Sequence, residues 1–277
     1  MNAARRMKPV EMLPTLITLG NLFCGFLAIA YLTDSNHLGN TDPVRISLYQ
    51  KAMWCVLLAM IFDALDGKIA RMVGAASDFG AQIDSLSDVI SFGAAPALLF
   101  KVMAETSGVV SPKIALVLAV VYVACAALRL ARFNVETDVG EEHHKYFKGL
   151  PSPAAAACVL ALGYLNISLD NESAKSWVGA AMPFLVPAIG FLMTSRFRYV
   201  HATNALFGGR KTFGFLVLLV FIGALVFSRA DILLPCVMVL YVASGPIGWL
   251  KSKWRRPSPG LESSRRASPE DADDEVI

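Results

Sequence analysis

The stretch IFDALDGKIARMVGAASDFGAQIDSLSDVISFG, residues 61–93, carries Asp63, Asp66, Asp84 and Asp88 inside sequence that otherwise reads as two membrane-spanning helices. Ionisable side chains within a span are costly and mark ion, proton or substrate sites by default. The placement of these four carboxylates therefore decides how the chain folds and what it does.

The second span is taken to end at Arg71, a turn to cover Met72 to Asp78, and the next span to start at Phe79. At about 1.5 Å per residue, Asp66 and Asp84 then lie about 7 to 8 Å from the turn, and Asp63 and Asp88 about 12 to 13 Å from it. Residues three or four apart share one side of a helix. Asp63 with Asp66, and Asp84 with Asp88, thus face one another across the hairpin in two layers. Gly67 lies on the same stripe, and Ala70 and Gly80 also allow close approach. Ionised carboxylates crowded in this way repel unless they are protonated, solvated or neutralised by cations, and two divalent ions balance four negative charges. An oxygen-only ligand set points to Mg, Mn or Ca, since no His or Cys stands near enough in sequence to suggest zinc or copper. Two metals held by shared carboxylates suit in-line attack at phosphorus. Arg71, near the rim, can bind phosphate through its planar fork.

The rest of the chain agrees with a membrane setting. Its 277 residues are 55% hydrophobic and 17% charged, with mean hydropathy +0.53, too apolar for an ordinary soluble domain or for disorder. Spans of about 20 apolar residues are expected at 13–32, 52–71, 80–104, 113–134, 152–169, 176–195, 212–228 and 231–250. Only helices or closed barrels satisfy backbone groups in lipid, so the expected fold is all-α, a polytopic bundle of eight helices. The first run follows Arg5, Arg6 and Lys8 but lacks a small-residue cleavage site, and reads as a retained span. Cys24, Cys55, Cys125, Cys158 and Cys236 have neither metal nor disulfide spacing and read as packing residues.

With eight spans, nineteen Lys and Arg fall on one side; the other holds six, Arg45, Lys51, Lys101, Lys113, Lys175 and Arg229. That bias puts both termini in the cytoplasm. The expected organisation is a cytoplasmic segment over 1–12, a membrane domain over 13–250 and a disordered cytoplasmic tail over 251–277.

Written out, Asp63-x2-Asp66-Gly67-x2-Ala70-Arg71-x8-Gly80-x3-Asp84-x3-Asp88 resembles the complete signature of the CDP-alcohol phosphotransferase family. The resemblance implies a helical membrane enzyme that moves a substituted phosphate from a CDP-alcohol to a second alcohol, releasing CMP. It implies that Asp63, Asp66, Asp84 and Asp88 hold two divalent cations and that Asp88 is also the general base. It further implies a nucleotide site lined by Pro14, Thr15, Thr18 and Asn21 of the first span, with Asp63, Gly67, Arg71 and Ser77 contacting the cytidine diphosphate. Within the family, LPTLITLGNLFCGFLAI (13–29), SDVISFGAAPALL (87–99), LRLARFN (128–134) and FKGLPSPAAA (147–156) are similar to members that use CDP-diacylglycerol as donor and L-serine as acceptor.

Serine brings a carboxylate, so a cationic group is expected near the metals. Arg129 and Arg132 are the preferred pair, with Asn134 assisting, ahead of Arg196 and Arg198. GLPSPA reads mainly as a helix start. The expected partners are CDP-diacylglycerol, L-serine and membrane lipids, with no nucleic acid, and by analogy a second copy of the chain in a homodimer. The expected location is a bacterial-type cytoplasmic membrane with the site toward the cytoplasm. Three rivals stay open: a sibling enzyme taking glycerol phosphate, inositol phosphate or choline, an ion-coupled transporter, and a structural membrane scaffold.

Overall fold

Helices start and stop where local chemistry dictates. In the computed structural model, which describes residues 9–39, 42–73, 78–138, 146–200 and 230–254, α1 covers Pro9–Ser35, α2 Pro43–Val73, α3 Asp78–Asp88 and α4 Ala95–Ser107. They are followed by α5 Pro112–Asp138, α6 Ser152–Ser168, α7 Glu172–Thr194 and α8 Ala230–Trp254. Asp42 caps α2 by accepting the Val44 amide on Oδ1 at 2.8 Å, with Pro43 in the first helical position, where an N–H is not needed. Asn171 caps α7 by accepting from the Ser173 and Ala174 amides. α4 stops at Gly108, whose φ of 66° suits glycine.

α3 and α4 form one rod interrupted by a π-helical turn over Val89–Ala94. Pro96 accounts for the interruption. An α-helix would send the N–H of residue 96 to the Phe92 carbonyl, and proline has none to send. The ladder widens there, with the Ala95 amide bonding Ile90 O. Phe92 O in turn accepts from the buried Tyr122 hydroxyl of α5 at 3.3 Å.

This rod is the axis of the bundle. α4 touches α1, α2, α5, α6 and α7, and its Leu99, Phe100, Val102 and Met103 are buried. α1 lies along α2 and against α3, α5 packs on α7, and α6 packs on α7 and α8. Small residues fill the helix contacts, among them Ala28, Ala59, Ala115, Ala126, Ala155 and Ala156, each fully buried. Large ones point outward: Phe26, Trp54, Trp177 and Phe184 are all exposed. Small-inside, large-outside packing is what helices need when lipid is the solvent.

Among the described residues, four helices are long and apolar enough to cross a membrane, at Pro14–Ser35, Phe79–Ser107, Pro112–Val135 and Glu172–Thr194, and Ser152–Ser168 and Pro235–Gly248 are shorter apolar helices. Of the eight expected spans, seven fall on described helices; 212–228 lies outside the described residues. α2 has the length, but Asp63, Asp66, Lys68 and Arg71 make its last third polar.

One feature departs from a purely helical expectation. Tyr146–Lys148 (β1) pairs antiparallel with Arg198–Val200 (β2), and next to it the Gly149 amide bonds Phe197 O at 2.8 Å and the Leu150 amide bonds Leu192 O at 3.1 Å. This ribbon ties the start of α6 to the end of α7.

Candidate active site

Two helices bring the carboxylates together. Asp63 and Asp66 stand near the C-terminal end of α2, and Asp84 stands on the second turn of α3. One oxygen from each of the three lies within 4.8 Å of the others. Asp66 is 4% exposed, and Asp63 and Asp84 are half-buried.

Asp88 sits apart from that trio, at the last residue of α3 where the π turn begins, and is 7% exposed. Asn21 of α1, fully buried, donates Nδ2 to Asp88 Oδ1 at 3.1 Å. The Asn21 carbonyl accepts from Ser91 Oγ at 3.0 Å, so α1 holds the start of the π turn both at Asp88 and at Ser91. Asp88 remains close enough to Asp63 and Asp84 to feel their charge. The arrangement is thus three clustered carboxylates with Asp88 beside them and bonded to α1.

Of the polar stripe on α1, Asn21 and Thr18 meet the carboxylates. Pro14 and Thr18 are buried, Thr15 is half-buried, and Thr18 lies beside Asp66 while donating to Pro14 O at 3.0 Å. The Gly67 amide donates to Asp66 Oδ1. Arg71 belongs to α2, but its side chain and Ser77 lie outside the described residues.

Among the described residues, the buried side-chain polar atoms with no hydrogen-bond partner are Asn21 Oδ1, Asp66 Oδ2 and Asp84 Oδ1. All three are acceptors. Buried acceptors left without donors are destabilising, and carboxylate oxygens converging within a few ångströms make a donor set for a hard divalent cation. The residues present fit such an ion.

Of the two preferred arginines, Arg129 reaches the carboxylates. It is close enough to Asp63 and Asp88 to interact electrostatically, and its Nη1 donates to Ser152 Oγ at 2.6 Å. Arg132 is half-buried nearly one turn further along α5. Asn134 is joined to α3 instead, donating Nδ2 to Ser85 Oγ at 2.9 Å. Ser152 and Tyr241, the latter on α8 beside Arg129, were not expected from sequence reasoning to meet the site. Their contacts join residues far apart in the chain. The one signal for them was a lone serine between two prolines in GLPSPA.

Residues 11–192 match the family model for CDP-alcohol phosphatidyltransferase. A Helicobacter pylori protein named CDP-diacylglycerol--serine O-phosphatidyltransferase is 32% identical over 245 residues, which cover 87% of this chain and 92% of that one. A protein of the same name from Methanocaldococcus jannaschii is 39% identical over 155 residues, 55% of this chain and 65% of the relative. A third, from Saccharomyces cerevisiae, is 37% identical over 154 residues, 53% of this chain and 52% of its own. The matched segment contains the whole carboxylate hairpin together with α5, Ser152 and all but the first two residues of α1, and this chain belongs to the CDP-alcohol phosphatidyltransferase family.

Proposed function

We propose that this chain transfers the phosphatidyl group of CDP-diacylglycerol to the hydroxyl of L-serine, giving phosphatidylserine and CMP. The observation that carries the reading is the buried, all-carboxylate meeting of α2 and α3, with unpartnered oxygens on Asp66 and Asp84. The names of the three relatives supply the donor and the acceptor.

In this reading Asp63, Asp66, Asp84 and Asp88 hold two divalent cations, Mg or Mn by preference and Ca as a third candidate. When bound, such ions neutralise the diphosphate and the charge that grows on the departing cytidylate. The chain's own groups do the rest. Asp88 takes the proton from the serine hydroxyl, because an alkyl alcohol is a poor nucleophile near neutral pH. Asn21 fixes one oxygen of Asp88 and leaves the other for this task. The serine oxygen then bonds to the lipid-proximal phosphorus as the bond to CMP breaks, with no covalent enzyme intermediate. Pro14, Thr15, Thr18, Asn21, Asp63, Gly67, Arg71 and Ser77 line the donor site. Arg129 receives the serine carboxylate through its planar fork, with Arg132 and Asn134 as further acceptor-side groups.

The same proposal places eight spans in a cytoplasmic membrane, with both termini and the site toward the cytoplasm, where serine and CMP are soluble. It also includes a homodimer.

An acceptor panel tests the function. Purified full-length protein in detergent, given labelled CDP-diacylglycerol and a divalent salt, should form labelled phosphatidylserine with L-serine. Glycerol phosphate, inositol phosphate and choline should give little product. A faster reaction with any of those three would reject serine as the acceptor.

A further inference from the structure

Ser152 is a fully buried hydroxyl in the first turn of α6. As the first helical residue, one past the N-cap Pro151, Ser152 does not occupy the capping position, and Pro151 and Pro153 on either side have no amide hydrogen. Its oxygen is instead the hydrogen-bond partner of Arg129 at 2.6 Å, and that bond spans two helices.

The backbone that delivers Ser152 is tightly fixed. Gly149 has φ 91°, and a Cβ built there would stand 2.3 Å from the Met193 carbonyl, so only glycine fits. The Gly149 and Leu150 amides are bonded to Phe197 O and Leu192 O, and the Leu150 side chain is fully buried. Asp63, Asp88 and Tyr241 of α8 are near enough to the guanidinium to interact with it electrostatically. A guanidinium carries its donors in one rigid plane, so a bond to one nitrogen sets the direction of the whole fork.

We propose that Ser152 is a positioning residue for acceptor selection: its hydroxyl aims Arg129 so that the guanidinium meets the carboxylate of the incoming amino acid. The proposal rests on the serine reading above and adds the GLPSPA turn to the machinery that reads the acceptor.

Kinetics of CMP release by the purified full-length protein test it, with Ser152→Thr and Ser152→Val as a pair matched in shape and differing in the hydroxyl. Ser152→Val, and Ser152→Ala beside it, should raise the KM for serine about tenfold, the loss of roughly one hydrogen bond to a charged group. The KM for CDP-diacylglycerol should change less than about twofold on the same bond count. Ser152→Thr should stay near the wild type. An unchanged serine KM in Ser152→Val overturns the proposal. So does a rise in both KM values with a falling kcat, the mark of a merely structural role. Failure of the wild type to use serine at all would overturn the serine reading itself and the proposal with it, and the wild-type control shows which has failed.

Discussion

At the scale of single residues, the division between Asp88 and the other three carboxylates carries the mechanistic content. Asp88 has one oxygen bonded to Asn21, whereas Asp66 and Asp84 each keep a buried oxygen without a donor. Asp88→Asn should therefore lower CMP release by about two orders of magnitude or more, the usual contribution of a positioned base. Near-wild-type turnover by the purified variant would rule out that role. Asp63→Ala and Asp66→Ala should insert normally into membranes yet lose metal-dependent activity, and chelation should silence the wild type until a divalent salt is restored. Full activity in EDTA would defeat the metal assignment. These acidic residues were legible in the sequence because a carboxylate inside an apolar run is too costly to keep without a task. Ser152 and Tyr241 were not, because a serine in a helix start and a tyrosine in an apolar helix are ordinary until the fold sets them beside Arg129.

Among elements, the contact between α1 and the π turn leaves no room for a side chain. A Cβ added at Gly25 would come 2.3 Å from Ser91 Oγ and 2.9 Å from the Ser91 Cα, so the neighbouring backbone must move. Gly25→Ala should cost about 1–3 kcal/mol through overpacking, read as a lower melting temperature in detergent. It should also reduce activity, because Ser91 bonds the carbonyl of the residue that holds Asp88. A variant with wild-type melting and turnover would show that the two segments separate freely. Hydropathy located the helices well, since lipid leaves the backbone so few options. The π turn had a signal in Pro96, within SFGAAPA, but a proline in an apolar run also reads as a simple kink. The ribbon of Tyr146–Lys148 and Arg198–Val200 had none: three-residue strands are too short to show an alternating pattern.

Over the whole molecule, polar chemistry gathers at two opposite ends of the bundle. Arg45, 6% exposed near the start of α2, donates to Tyr49 Oη at 2.7 Å, Leu38 O at 3.1 Å and Thr106 Oγ1 at 2.5 Å, beside a cavity of about 530 Å³ that Asn166 and Lys175 also line. Eighteen residues of helix separate Arg45 from Asp63, about 27 Å along the axis, close to the roughly 30 Å of a bilayer core. The carboxylates and Arg45 should therefore lie at opposite membrane surfaces. Single cysteines in a cysteine-free background should show it: a thiol at Asn36 should react with an impermeant reagent added outside intact cells, and one at Met72 only after lysis. The opposite pattern would invert the proposed orientation. The expected sidedness rests on the lysine and arginine asymmetry alone, whereas the pairing of α6 with α8 depends on packing that no local pattern encodes. The π turn gives the rod one surplus residue, and a single residue rotates everything beyond it by about 100°. The reacting half, α3, and the scaffold half, α4, are thereby set at a fixed angular offset, which the Ser91–Asn21 and Tyr122–Phe92 bonds hold in place. One span can thus aim Asp84 and Asp88 at α2 and α1 while α4 packs its neighbours along a different stripe of its sequence.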